Sequence, residues 1–266
     1  MGMQRPKHSL MQACPSSWVQ GIRPGLYMGG ARLKIGLVSY EFRNQDTEFN
    51  LTQIEKALQS VSGKVDLLCF GEAFLQGFDA LRWDFHMDQH IALPQNSAII
   101  GKLCNLTLQY GIALLVGYIE SFQGCIYSSC VVIDQGKVIF NYRRISAGWK
   151  APLADSHYCE GRDVPEFQLR GNHFKIALCG DMWDFPLRFK TDHILIWPIY
   201  VNFSLCEWAK YENEYAKQAS IASRYTLMIN SLSHSPKSHG GAFFFVDGKI
   251  VQKTDYDKET ILLIDM

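Results

Sequence analysis

Residues 173–186, HFKIALCGDMWDFP, decide how this chain is read. Phe174, Ile176, Ala177 and Leu178 form a short apolar run that suits a buried strand better than a helix. Cys179 reads as the last residue of that strand. Gly180 reads as the point where the backbone turns sharply, because a residue without a Cβ reaches conformations closed to others. A thiol at a strand end is placed for nucleophilic chemistry. A lone cysteine is more often a small buried hydrophobe, so the reading depends on what else the chain brings to the same end.

Working outward, LKIGLVSY (33–40) predicts a first strand, and Leu51, Ile54, Leu58 and Val61 fall on one helix face that Gly63 can end in a left-handed cap. VDLLCF (65–70) predicts a buried strand that opens at Gly71 and Glu72. Apolar residues flank Glu72 on both sides, and a carboxylate so placed has either a raised pKa or a specific partner. Ile99, Leu103, Leu106 and Tyr110 give a second helix face ending at Gly111, followed by the strand IALLVGYI (112–119). Ile126–Asp134 and Lys137–Tyr142 pair as a hairpin about Gln135–Gly136, and the second strand runs into Arg143 and Arg144. A further hairpin turns at Arg170–Gly171–Asn172. HILIWP (193–198) is another buried strand, and Trp208, Tyr211, Tyr215, Ala219 and Ala222 share a helix face. YTLMINS, GAFFFV and KIVQK add strands, so elements that alternate early become strand-rich late. No internal boundary is visible, which predicts one α/β domain.

Composition narrows the function classes. With 26 basic and 26 acidic residues, no net charge draws the chain to nucleic acid or an anionic membrane. The eight cysteines are scattered without a CxxC pair, which predicts free thiols in a reducing, cytoplasmic setting. No apolar run approaches the roughly 20 residues of a spanning helix. Residues 1–30 lack a secretory signal's apolar segment and read as a disordered leader, a cloning remnant, or sequence upstream of a start at Met28.

A thiol at a strand end needs a base, and its attack on a carbonyl or nitrile carbon needs a cation or N–H donors where negative charge develops. Glu72, Arg144 and Cys179 supply those parts, and one carboxylate can take the thiol proton, give it to a leaving amine and later activate water. From about Leu33 to the C-terminus the chain resembles the nitrilase, or carbon–nitrogen hydrolase, superfamily. GEAFLQGF (71–78) resembles that family's glutamate segment, VGYIE and IYSSCVVIDQGKVIFNYRR (126–144) the strands leading to its lysine, and ALCGDMWDFP (177–186) its nucleophile segment. ILIWP, ASRYTLMINS and HGGAFFFVDGKIV follow in the family's order.

The resemblance implies a four-layer αββα sandwich over residues 31–266 and a Glu–Lys–Cys site working without metal or cofactor. It also implies a small amide substrate rather than a nitrile, and a homodimer or larger homo-oligomer. Its lysine position holds Arg144, whose planar fork favours a carboxylate over an oxyanion. Lys150, six residues on, is the alternative cation. The family's second carboxylate has no convincing match, although Asp155 and Glu160 lie in the right stretch. These two departures support a second reading, a catalytically silent member that acts as a binding or assembly protein. Asp181 is expected to order the turn by accepting backbone N–H bonds, and the Gly180 N–H to donate to an oxyanion. Trp183, Trp197, Tyr200 and Phe203 are candidate pocket-lining aromatics. His86 and His90 lack the glutamate and third ligand of a metal site and read as surface residues.

Overall fold

The computed structural model describes residues 32–266; the expected leader over 1–30 and the start at Met28 lie outside them. The first half comprises β1 (Lys34–Ser39), α1 (Thr47–Ser60), β2 (Leu67–Cys69), α2 (Phe85–Asp88), α3 (Ala98–Tyr110), β3 (Ala113–Phe122), β4 (Cys125–Asp134) and β5 (Lys137–Arg143). The second comprises β6 (Glu166–Leu169), β7 (Asn172–Ile176), α4 (Asp181–Asp184), β8 (Ile194–Ile199), α5 (Leu205–Ala222), β9 (Tyr225–His234), β10 (Lys237–Val246), β11 (Lys249–Lys253) and β12 (Thr260–Asp265).

The strands form two six-stranded mixed sheets, ordered β12-β1-β2-β3-β4-β5 and β11-β10-β9-β8-β7-β6. In each, three neighbouring strands run parallel: β1, β2 and β3 in the first, β7, β8 and β9 in the second. Side chains alternate between faces along a strand. Leu67 and Cys69, Ala113 and Leu115, and Cys130 and Val132 therefore share one face of the first sheet, in a common core with Ile176, Ile196 and Leu227 of the second. Leu68, Leu114, Val116 and Val131 take the opposite face and meet Ile54 and Leu58 of α1 and Leu103 of α3. Trp208, Tyr215 and Ala219 of α5 cover the far side of the second sheet, with Trp208 stacked on Phe243 at 5.5 Å. Helices outside two packed sheets make the four-layer αββα sandwich.

Local chemistry sets the helix ends. Asp46 caps α1 by accepting from the Phe49 N–H, Ser97 caps α3, and Ser204 with Glu207 forms a capping box on α5. Gly111, at φ 66°, ends α3 as its position predicts. Gly63 does not cap α1. That helix closes at Val61, and Gly63 (φ 70°) supplies the left-handed residue of the following turn, where the Lys64 N–H bonds the Val61 carbonyl. Tyr211 is partly exposed on α5 and packs against Phe203 at 5.3 Å. The edge strand β12, absent from the sequence reading, lies antiparallel along β1 with Leu37 opposite Leu262.

The strand that leads to Cys179 also ends earlier than its apolar run predicts. β7 stops at Ile176, and Cys179 lies three residues beyond, held by its N–H to the Pro198 carbonyl at 2.9 Å. The turn residue is Cys179 itself, at φ 41°, whereas Gly180 is ordinary right-handed backbone at φ −63°.

Candidate active site

Glu72 follows β2, Arg144 follows β5 and Cys179 follows β7, so the two sheets bring all three to one end of the sandwich. Two non-glycine residues there adopt the left-handed backbone region, Ala73 at φ 49° and Cys179. Such conformations cost energy and persist only where surrounding bonds hold them. β3 allows the Glu72 turn its depth. A Cβ at Gly117 would lie 2.6 Å from the Ala73 nitrogen and 2.8 Å from the Glu72 Cα.

Glu72 is fully buried, and its two oxygens differ. Oε1 accepts from the Ser128 hydroxyl at 2.9 Å and from Arg144 Nη1 at 2.9 Å. Oε2 is buried with no hydrogen-bond partner. A buried charge of this kind normally has its lone pairs satisfied, so an unpartnered oxygen marks a position for an incoming proton or ligand.

Arg144 is 2 % exposed. Its backbone is pinned on both sides, N–H to the Ser128 carbonyl and C=O from the Gly161 N–H. Nε donates to Ser146 Oγ at 2.7 Å. Burial opposes its charge, but Glu72, Cys179 and Asp181 outweigh that and hold the guanidinium above its ordinary pKa. It is a fixed cation and carries no proton between groups.

Cys179 is partly exposed, and its Sγ points to the Tyr200 carbonyl at 3.8 Å. Burial of the thiol, reinforced by the neighbouring Glu72 charge, pushes its pKa up to about 12 against the opposing pull of Arg144. Cys179 therefore rests as a thiol near Glu72.

Asp181 ties the loops together. Oδ1 accepts from the N–H groups of Ile145 (3.0 Å) and Ser146 (2.8 Å), while Oδ2 accepts from Tyr142 Oη (2.6 Å) and the Leu178 N–H (2.9 Å). Burial pushes its carboxyl up against the opposing effect of these donors and of Arg144.

The structure separates Lys150 from this group. Its ammonium pairs with Glu160 and donates to the Tyr158 carbonyl at 3.3 Å, with no ion pair to Glu72. Glu160 is thereby engaged, and the exposed Asp155 pairs with His157 at 3.0 Å. Tyr200 approaches Cys179 through its main chain, while its hydroxyl meets Ser233 at 2.9 Å. Trp183 is exposed on α4, 5.0 Å from Tyr215 ring to ring. Trp197 is core, its Nε1 donating to the Cys179 carbonyl at 2.9 Å, and Phe203 packs on Trp208 in the outer layer. His86 and His90 are exposed.

Sequence reading missed Ser128 and Ser146, which hold Glu72 and Arg144, and the pairing of the buried Glu120 with the partly exposed Arg143 at 2.7 Å. Two adjacent serines in the otherwise apolar strand IYSSCVV were the available signal for Ser128. Elsewhere, Glu166, His173 and His193 place one potential metal-ligand atom each within 4.8 Å of one another. Lys175 already pairs with that glutamate at 3.3 Å.

Residues 34–190 match the family model described as carbon–nitrogen hydrolase. Over 150 residues the chain is 28 % identical to an (R)-stereoselective amidase from Pseudomonas sp., covering 56 % of this chain and 52 % of the amidase. Over 159 residues it is 26 % identical to a glutamine-dependent NAD(+) synthetase from Thermotoga maritima, covering 58 % of this chain and 26 % of the synthetase. The aligned part thus spans about half of one curated relative and a quarter of the other. Among solved structures, a CN-hydrolase superfamily protein from Xanthomonas campestris superposes with TM-score 0.74 at 14 % identity, covering 89 % of this chain and 91 % of that one. A mutant of the amidase from Nesterenkonia sp. AN1, with the acetamide moiety of fluoroacetamide added covalently at its active-site cysteine, superposes with TM-score 0.73 at 17 % identity, covering 93 % of each chain.

Proposed function

Because the chain belongs to the carbon–nitrogen hydrolase family, we propose that it hydrolyses a small linear amide through a thioester on Cys179. The observation that carries this reading is the divided environment of Glu72. One oxygen is fixed by Ser128 and Arg144, and the other is buried, unpartnered and electrostatically coupled to the thiol.

In this mechanism Cys179 Sγ attacks the amide carbon as its proton passes to Glu72 Oε2. Arg144 and the Gly180 N–H stabilise the negative charge developing on the carbonyl oxygen. The C–N bond breaks, Glu72 protonates the departing nitrogen, and ammonia or an amine leaves. Water then gives a proton to Glu72 and attacks the thioester, releasing the carboxylic acid and restoring the thiol. The amidase relative and the amidase fold neighbour support an amide over a nitrile. The Glu72–Arg144 ion pair favours the silent-protein alternative, since it restrains the base, but it engages only one carboxylate oxygen.

The family resemblance further suggests a homo-oligomer in the cytoplasm. Trp183, Phe185 and Leu187, three exposed large apolar side chains in one short run, give such an assembly a contact surface.

The test is incubation with a panel of short aliphatic amides, reading ammonia release and the intact mass after acid quench. The expected result is ammonia release and an acyl adduct on Cys179. Cys179→Ala abolishes both, and Glu72→Gln lowers ammonia release by about a hundredfold or more. A panel that yields neither ammonia nor adduct overturns the hydrolase reading in favour of a binding protein.

A further inference from the structure

Arginine at position 144 has a housing of its own. Each edge of its guanidinium meets a different environment. Nε donates to Ser146 Oγ at 2.7 Å, Nη1 donates to Glu72 Oε1 at 2.9 Å, and Nη2 lies against the backbones of Gly148 and Gly180.

Gly180 is informative because its backbone does not require glycine. At φ −63° and ψ −16° any L-residue is accommodated. What excludes a side chain is chiefly the guanidinium, since a Cβ there would lie under 3.0 Å from Arg144 Nη2 and 3.4 Å from Cζ, with Ser146 Oγ at 3.2 Å. A Cβ at Gly148 would lie 3.3 Å from the same Nη2, from the other loop. Ser146 is fully buried, and Asp181 fixes its N–H at 2.8 Å, so the acceptor for Nε is set by the same carboxylate that orders the Cys179 turn. An ammonium would leave the Ser146 hydroxyl without its donor and the space beside Gly148 and Gly180 unfilled.

We propose that Ser146, Gly148 and Gly180 form a slot for a guanidinium, so that the site uses arginine as a built component and lysine does not replace it. Ser146 is a positioning residue. It holds the fork so that Nη1 clamps Glu72 while Nη2, which donates to no acceptor among the described residues, faces the residue next to Cys179. Resting on the hydrolase reading, the slot makes Nη2 the donor to the carbonyl oxygen of the substrate. A single ammonium at the end of a lysine would have to choose between that oxygen and Glu72.

A double-mutant cycle in melting temperature tests the slot without reference to catalysis. Gly180→Ala is expected to lower the melting temperature by about 3–9 °C in the Arg144 protein, because the added methyl meets the guanidinium. In an Arg144→Ala background that cost should fall by at least half, the remainder coming from Ser146 Oγ. If Arg144→Ala does not fold, Arg144→Lys, which also lacks Nη2, completes the cycle. Equal costs in both backgrounds would overturn the slot. For the donor role, Arg144→Lys and Ser146→Ala are assayed with an amide that the wild-type protein turns over. The account expects at least about a tenfold fall in kcat for Arg144→Lys, with a smaller fall for Ser146→Ala that Ser146→Thr restores. Arg144→Lys activity equal to or above wild type would overturn it. A wild-type protein silent toward every amide would instead remove the hydrolase reading and the donor role together, leaving the melting cycle to decide the slot.

Discussion

At the scale of single residues, Asp181 shows how one buried carboxylate organises several groups that it need not react with. Its two oxygens take four hydrogen bonds, from Tyr142, Ile145, Ser146 and Leu178, and so join the loop after β5 to the turn that presents Cys179. Removing it leaves three backbone N–H groups without acceptors in a buried setting, each costing on the order of 1–3 kcal/mol where water cannot reach. Asp181→Ala is therefore expected to destabilise the protein by about 3 kcal/mol or more, measured by urea unfolding. A loss below about 1 kcal/mol would mean that these loops hold their course without it. The positive φ of Cys179 belongs to the same account, because the flanking Leu178 N–H and Cys179 N–H are both bonded and leave the residue little freedom to relax.

At the scale of elements, the close approach of β3 to the Glu72 turn is the contact most sensitive to side-chain volume. A methyl at Gly117 would meet backbone atoms of Glu72 and Ala73, and backbone cannot swing aside as a flexible side chain can. Gly117→Ala is expected to cost about 1–3 kcal/mol and to displace the Glu72 carboxylate, lowering kcat for an amide more than it raises KM. Unchanged stability and kcat in this variant would contradict the packing described. The elements themselves were largely legible in sequence, since strands buried on both faces stand out as short apolar runs such as VDLLCF and IALLVGYI and Gly111 marks the end of α3. β12 was not legible because its side chains are mostly half-exposed and its place depends on the ladder to β1 more than 200 residues earlier. Glu72, Arg144 and Cys179 could be picked out as charges and a thiol at strand ends. The partners of Ser128 and Ser146 and the volume limits at Gly117 and Gly180 could not, because Ser128 meets Glu72, Ser146 is placed by Asp181, and each glycine faces a residue distant in sequence. Lys150 shows the converse, a cation close in sequence that the fold pairs with Glu160 instead.

At the scale of the whole molecule, two sheets deliver Glu72 and Cys179 to one end of the sandwich. β2 carries Glu72 from the first sheet and β7 carries Cys179 from the second, and neither has its role without the other. The most direct test needs no substrate: the rate of iodoacetamide alkylation at Cys179, mapped by mass spectrometry across pH 6 to 9. A free thiol in solution, such as a cysteine-containing peptide alkylated alongside, reacts about tenfold faster per pH unit until it nears its pKa of about 8.5. Burial pushes the Cys179 thiol up to about 12, so across this range it is protonated, and in the proposed mechanism its proton passes to Glu72 in the same step as attack. The predicted result is a Cys179 rate that changes by less than about twofold from pH 6 to 9 and acquires the steep pH dependence of a lone thiol in Glu72→Gln. A Cys179 rate that rises in parallel with the free peptide thiol and is unaffected by Glu72→Gln would contradict the pairing of base and nucleophile on which the proposed function depends.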